Sequence, residues 1–332
     1  MGINKGEYVV TNRLQSFALA VALTTALTSA PAFAAGEKIE FVAGMVGIPF
    51  YTTMECGARD AAKELGVDLN WQGAPQWDIA LQMPILQAAI ERSPNGMVLA
   101  PNDPDALISI VDDLVKNKKV PVVTVDGNLN QPVDVQNMRT DNLSAGGLAA
   151  EAMAKAIGGE GTVLIVALTP GVVGNQQRAD GFIKVLKDKY PKITVLPIEY
   201  PGSDQNKAAE VVAAAIQAHP DLKGIYTTHS NAAVGTSSAV IGAGLGGKVK
   251  IIAYDADPQQ VRDLKSGIYD GLVVQSPYLE GYDSVKLVTQ ILRGEVDPTK
   301  LEKVYYPPML VATRDNIDSP DVKKALYVDS CP

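Results

Sequence analysis

Histidine and cysteine are scarce in this chain, with two of each among 332 residues, at His219, His229, Cys56 and Cys331. No H-E-x-x-H, C-x-x-C or G-x-S-x-G occurs, which removes the commonest zinc, dithiol and serine-nucleophile designs. Nothing in the sequence asks for a metal or a cofactor, and an enzyme has no support. Basic charge is also short: 29 Lys and Arg stand against 37 Asp and Glu, a formal net charge of -8, with no Lys/Arg cluster to neutralise a row of phosphates. Nucleic acid and anionic membrane surfaces are therefore poor partners. A nucleotide loop is missing too, despite a near match. The stretch "GAGLGGKVK", Gly242 to Lys250, fits G-x-G-x-x-G and all but the last residue of the P-loop pattern. A phosphate loop follows a strand and opens a helix, so that amide N–H groups and the helix dipole face the anion. Here helix-forming small residues precede the glycines and the strand-like "KVKIIAYD" follows. The glycines read as the end of a helix, and Val249 stands where a hydroxyl would be required.

What is present is apolar substance: 46% of residues are hydrophobic, and the length predicts about two domains. At the N-terminus, Lys5 and Arg13 precede an uncharged stretch from Leu14 to Gly36, with "AFA" at Ala32 to Ala34 fitting an A-x-A cleavage site. Residues 1–34 read as a secretory signal peptide, and Gln15, Ser16, several Thr and Pro31 make them a poor membrane span. Export would place the two cysteines in an oxidising compartment, which predicts a Cys56–Cys331 disulfide, with two separate thiols as the alternative.

Beyond that segment, short apolar runs alternate with helical patterns. "IEFVAGMV", "VDLNW", "GMVLA" and "VPVVTVD" read as strands, with helices over Tyr51–Leu65, Ile79–Arg92 and Ala106–Asn117 between them. After Arg139 the rhythm restarts. "GTVLIVAL", "ITVLPIEY", "GIYTT", "VKIIAYD" and "GLVVQ" alternate with helices over Asn175–Lys189, Asn206–Ala218, Asn231–Ala243 and Pro258–Lys265. Tyr278–Leu292 adds a helix after the second half reads as complete. Near-continuous apolar strands imply parallel sheets covered on both faces, so the chain reads as two similar α/β halves with more than one crossing between them.

In parallel α/β sheets ligands bind beyond the carboxyl ends of the strands. Those positions carry Phe50 and Tyr51, Asp126, His229 with Ser230 and Asn231, Tyr254 and Asp255, and Gln275. Carboxylates and amides can serve several hydroxyls, while aromatic faces cover the C–H side of a sugar ring. Singly, each has a structural reading as helix cap, core or turn. Together, at five strand ends, they favour a site.

The pieces "PFYTTMECGARDAAKELGVDL", "VPVVTVD", "TDNLSAGGLAAEAMA", "QQRADGF", "AHPDLKGIYTTHSNAAVG", "IIAYDADPQ", "SGIYDGLVVQSP" and "ILRGE" resemble the periplasmic sugar-binding proteins of the ribose-binding family, from Ile39 to about Thr313. The resemblance implies two Rossmann-like lobes joined by a three-crossover hinge, 35–139 with 276–306 and 140–275 with 307–332. Crossovers would fall near Thr140, Gln275 and Pro307. It implies stacking aromatics at Phe50, Tyr51 and Tyr254, and hydroxyl-binding groups at Asp126, Arg178, Asp255 and Gln275. The implied role is that of a monomeric periplasmic receptor that delivers a sugar or polyol to an ABC permease in the inner membrane. A sugar-responsive regulator or chemotaxis receptor of the same fold is the alternative. This chain departs from a ribose binder at Ile48, Gly127 and His229, where the family pattern has Asn, Arg and Asn. Those departures predict space beside Asp126, an apolar patch at Ile48, and a histidine that could introduce pH dependence near pH 6 to 7. The expected ligand is a deoxy sugar, a polyol, or a sugar that differs from ribose along one edge.

Overall fold

The computed structural model describes residues 1–2 and 36–331, so the expected signal segment lies outside the described residues. In chain order the first half runs β1 Lys38–Ala43, α1 Pro49–Leu65, β2 Asp68–Gly73, α2 Ile79–Glu91, β3 Gly96–Leu99, α3 Ile108–Lys116, β4 Val122–Val125 and β5 Gln136–Met138. The second half runs α4 Asn142–Ile157, β6 Gly161–Val166, α5 Val173–Lys189, β7 Ile193–Val195, α6 Gln205–Ala218, β8 Leu222–Thr227, α7 Ser230–Gly242, β9 Lys250–Tyr254, α8 Pro258–Ser266 and β10 Gly271–Val274. The last stretch is α9 Pro277–Leu292, β11 Val304–Tyr305, β12 Leu310–Ala312 and α10 Pro320–Ala325.

These strands form two six-stranded sheets, ordered β11-β5-β4-β3-β1-β2 and β12-β10-β9-β8-β6-β7. Every pairing between these strands is parallel except β10 with β12. Fully buried runs such as Gly96–Leu99 and Val122–Val125 are the near-continuous apolar strands that a sheet covered on both faces requires. In the first sheet, Phe41, Val98 and Val123 pack toward α1 and α9, while Val42, Leu99 and Val122 pack toward α2 and α3. The second sheet repeats the scheme. Its two faces carry the clusters around Leu164, Ile225 and Ile251 and around Ile165, Tyr226 and Ile252.

The chain changes sheet between β5 and α4, between β10 and α9, and between β11 and β12. The three passages are tied side by side: the Thr140 hydroxyl donates to Gln275 Oε1 at 2.7 Å, and the Ser276 hydroxyl donates to the Pro308 carbonyl. In each half a pair of helices meets backbone to backbone with a glycine on each side of the contact. A Cβ on Gly57 or Gly281 would stand 2.0 Å from the carbonyl of Tyr278 or Met54, locking α1 onto α9. A Cβ on Gly146 or Gly181 would stand 2.0 Å from the carbonyl of Arg178 or Leu143, locking α4 onto α5. Only glycine allows that approach.

The glycine stretch behaves as its sequence order predicts. Helix α7 ends at Gly242, Gly244 and Gly247 take positive φ of 69° and 75°, and β9 begins at Lys250. The two cysteines are joined, Cys56 on α1 to Cys331 in the tail, with a Cα–Cα distance of 5.3 Å.

Candidate functional site

A cleft of about 450 Å³ opens at the carboxyl ends of both sheets. From the first half it is lined by Met45 after β1, by Ile48, Phe50 and Tyr51 at the start of α1, by Trp77 after β2, and by Asp126 after β4. From the second it is lined by Arg178 on α5, Ser230 and Asn231 at the start of α7, Asp255 and Asp257 after β9, Gln275 after β10, and Tyr327 of the tail.

Asp126 and Asp255 occupy matching places. Each follows the last residue of a strand, each adopts positive φ (57° and 76°), and each donates its N–H to the neighbouring strand, to the Met138 and Val273 carbonyls. Left-handed backbone in a non-glycine residue costs on the order of 1–2 kcal/mol and persists only where the surroundings hold it. Here it turns both carboxylates into the cleft.

The Tyr51 hydroxyl donates to Asp126 Oδ2 at 2.6 Å. Burial pushes the Asp126 carboxyl above the ordinary aspartate range, while the Tyr51 hydrogen bond and the Arg178 cation pull it back. Beside it, Glu280 of α9 is 1% exposed, and burial together with the Asp126 charge holds its carboxyl well above the usual range. Asp255 accepts from Gln275 Nε2 at 2.8 Å and from the Tyr327 hydroxyl at 3.3 Å. Arg178 is fixed on three sides: its Nε donates to Asn142 Oδ1 and one Nη to the Thr228 carbonyl, both at 2.8 Å, and its guanidinium lies 3.7 Å from the Tyr254 ring centroid. Two of five donors are thereby used, and the others remain for a ligand in the cleft.

The residues expected from sequence divide into two groups. Phe50, Tyr51, Asp126, Arg178, Asp255 and Gln275 meet in this cleft. Tyr254 and His229 do not line it. Tyr254 is fully buried and lies under Arg178, so its ring steers the guanidinium in place of covering a ligand. His229 is the N-cap of α7, with Nδ1 accepting from the Ala232 N–H at 3.4 Å. Burial first, and the Arg178 cation second, lower its pKa to about 4, so it is neutral at pH 6 to 7 and the pH dependence expected there is corrected. The space expected at Gly127 is likewise closed, because a Cβ there would meet the Pro101 carbonyl at 2.6 Å. Ile48 does line the cleft, as the N-cap of α1 with no side-chain hydrogen bond to the helix end.

Sequence reasoning missed Trp77, Asp257 and Tyr327. The first two follow strands β2 and β9 and so lay within reach of the same strand-end rule. Tyr327 had no comparable signal, since it reaches the cleft from a tail that no strand precedes directly.

Comparison with known proteins adds an independent line. The periplasmic binding protein domain family matches residues 39–296. The ribose import binding protein of Salmonella typhimurium is 27% identical over 286 residues, covering 85% of this chain and 93% of that protein. The xylitol-binding protein of Mycolicibacterium smegmatis is 26% identical over 270 residues, covering 81% and 75%. Among solved structures, an ABC transporter solute-binding protein of Agrobacterium vitis bound with α-D-tagatopyranose is 30% identical, with a TM-score of 0.77, covering 88% of this chain and 99% of that one. A carbohydrate transporter solute-binding protein of Agrobacterium radiobacter in complex with D-arabinose is also 30% identical, with a TM-score of 0.76 and coverage of 88% and 99%.

Proposed function

Because this chain belongs to the periplasmic binding protein family, we propose that it is a solute-binding receptor that captures a monosaccharide or polyol between two lobes and delivers it to an ABC importer. The observation that carries this reading is the cleft lined from the strand ends of two separate sheets, with Asp126 on one side and Asp255 and Arg178 on the other. A ligand bridging the two sides is held by both only when they are close, so its binding energy favours the closed arrangement over the open one. The lobes of this reading are 35–139 with 276–306 and 140–275 with 307–332, and the three sheet-to-sheet passages are the hinge.

The chemistry suits a small polyhydroxy compound. Asp126 and Asp255 accept from hydroxyls, Arg178 donates to ring or hydroxyl oxygens, and Phe50 and Trp77 offer apolar faces to C–H groups. Beside Ile48 a ligand hydroxyl would lose water without gaining a partner, at a cost of about 1–3 kcal/mol. Ligands that present carbon there, such as deoxy sugars, some polyols or sugars unlike ribose along that edge, bind best. The ligand leaves unchanged; the role is capture, without turnover. Residues 1–34 direct export and are removed, and the mature monomer works in the periplasm. Among the described residues no helix is long and apolar enough to cross a membrane.

A thermal-shift screen of the mature protein against pentoses, hexoses, deoxy sugars and polyols, followed by calorimetry on the hits, tests this reading. Stoichiometric binding of an unaltered sugar or polyol is the expected result. Failure of every compound to bind, or steady conversion of one of them, overturns it.

A further inference from the structure

The tail after α10 joins the two halves of the cleft a fourth time. The Tyr327 N–H donates to the Ala256 carbonyl at 3.2 Å, and its hydroxyl reaches Asp255, so Tyr327 is attached to the second half. One residue later the Val328 N–H donates to the Thr53 hydroxyl of α1 at 2.8 Å, and Cys331 is bonded to Cys56 on that same helix. The Tyr327 ring, 3% exposed, packs edge-on against Phe50 with centroids 5.7 Å apart, directly over the start of α1.

Four residue steps therefore separate an anchor on the second sheet's side from a covalent anchor on the first. Such a segment spans at most about 13–14 Å when fully extended. The three hinge passages leave the lobes free to swing apart, whereas a short strap fixed to α1 limits how far they can go. The same strap delivers an aromatic ring and a hydroxyl to the cleft wall. Cys56 is buried, but Cys331 is exposed, so a reductant can reach the bond from solvent.

We propose that residues 327–331 form a disulfide-anchored strap that limits lobe opening and holds Tyr327 in place as a ligand-contacting, specificity-determining residue. The part played by Tyr327 rests on the sugar-binding reading; the limit on opening does not. With opening restricted, the unliganded protein spends more of its time in binding-competent arrangements, and apparent affinity rises in proportion to that fraction. Tyr327 discriminates because its hydroxyl is already oriented by Asp255. A ligand placing a hydroxyl against it gains a partner, and one placing carbon there does not.

Two measurements separate these parts. Small-angle scattering on unliganded protein compares the oxidised wild type, the wild type reduced with dithiothreitol, and the C56S/C331S double variant. The reduced and double-serine forms should share a radius of gyration larger than that of the oxidised form. Reduction of already folded protein keeps the test open should the double variant fail to fold. Calorimetry then measures the affinities of D-ribose, D-allose, D-arabinose, D-tagatose, D-fucose and xylitol. Reduction should weaken binding about tenfold, and Tyr327→Phe should change the ranking of at least two of these compounds while leaving the oxidised radius of gyration unaltered. An unchanged radius of gyration on reduction overturns the limit on opening. A Tyr327→Phe protein with wild-type affinities for all six overturns the ligand contact. If none of the six binds wild type, the sugar-binding reading and Tyr327's ligand contact fall together, and the scattering result still decides the strap.

Discussion

Asp126 and Asp255 are the same backbone device in two different settings. Both sit one residue past a strand with positive φ, and both give their N–H to the next strand. Around Asp126 lie a buried carboxyl held well above the usual range, Glu280, and one hydroxyl donor, Tyr51, and its own carboxyl is pushed up by burial. Around Asp255 lie an amide donor, Gln275, a hydroxyl donor, Tyr327, and the Arg178 cation among the groups of the same cleft. The fold thus repeats the position of the carboxylate, while the groups around it are not repeated.

Steric tests probe the repeated part and carry the largest expected effect. Gly281→Val and Gly146→Val each place a side chain against a carbonyl 2.0 Å from Cβ, in the α1–α9 and α4–α5 contacts respectively. Each should cost about 3 kcal/mol in urea unfolding, since backbone-to-backbone contacts cannot yield as side chains do. Similar losses support equivalence of the two halves. Gly146→Val should also weaken sugar binding, because the carbonyl it displaces belongs to Arg178; wild-type affinity in that variant would break the link between helix contact and site.

The unrepeated part is tested by binding. Asp126→Ala and Asp255→Ala should each cost at least about 1.5 kcal/mol in calorimetry with the best-bound sugar. The Asp126 side should also respond to pH. A ligand hydroxyl donating to Asp126 favours its ionised form, so binding releases a proton wherever that group is protonated in the free protein. Affinity is then full at high pH and falls as pH drops through a range above the ordinary value of 3.8. Asp126→Asn should flatten that slope. An unchanged slope would place the titration elsewhere.

Much of this fold was legible in the sequence because its strongest signals are local. Runs such as "GMVL" and "VVTV" are apolar on both faces, and the helices between such runs are set off by the strand–helix alternation, so their ends fell within a few residues of those observed. Helix α4 went unread. Its "NLSAGGLAAEAMAKAI" is small and apolar on most sides, and Gly146 works by contact with α5, which no pattern within α4 reveals. The two- and three-residue strands β5, β11 and β12 are too short for alternation to show. At the site, strand-end positions pointed to Asp126, Asp255 and Gln275, but could not tell a ligand-facing aromatic from one beneath a guanidinium, as at Tyr254. The desolvation that keeps His229 neutral is likewise a property of neighbours distant in sequence.

The smallest expected effect sharpens the contrast within the second half. Burial, and next the Asp255 charge, push Asp257 up to about 6. Its folded pKa lies above its unfolded one, so its charge opposes folding: the penalty is absent below about pH 4 and grows as pH rises through 6. Allowing for solvent screening at this half-buried position, Asp257→Asn should raise stability by about 1 kcal/mol at pH 8 and leave it unchanged at pH 4. Asparagine caps a helix as well as aspartate does, so the start of α8 is preserved. Equal stabilisation at both pH values would remove the electrostatic explanation.

The central claim is that one ligand is held by both halves at once. Small-angle scattering on the mature protein, with and without the sugar or polyol that calorimetry ranks first, tests it most directly when Arg178→Ala is measured alongside. The account predicts a smaller radius of gyration on saturation of wild type, and at least about tenfold weaker binding for the variant, the equivalent of about 1.4 kcal/mol. A saturated wild type with an unchanged radius of gyration, together with an Arg178→Ala protein that binds as tightly as wild type, would contradict it.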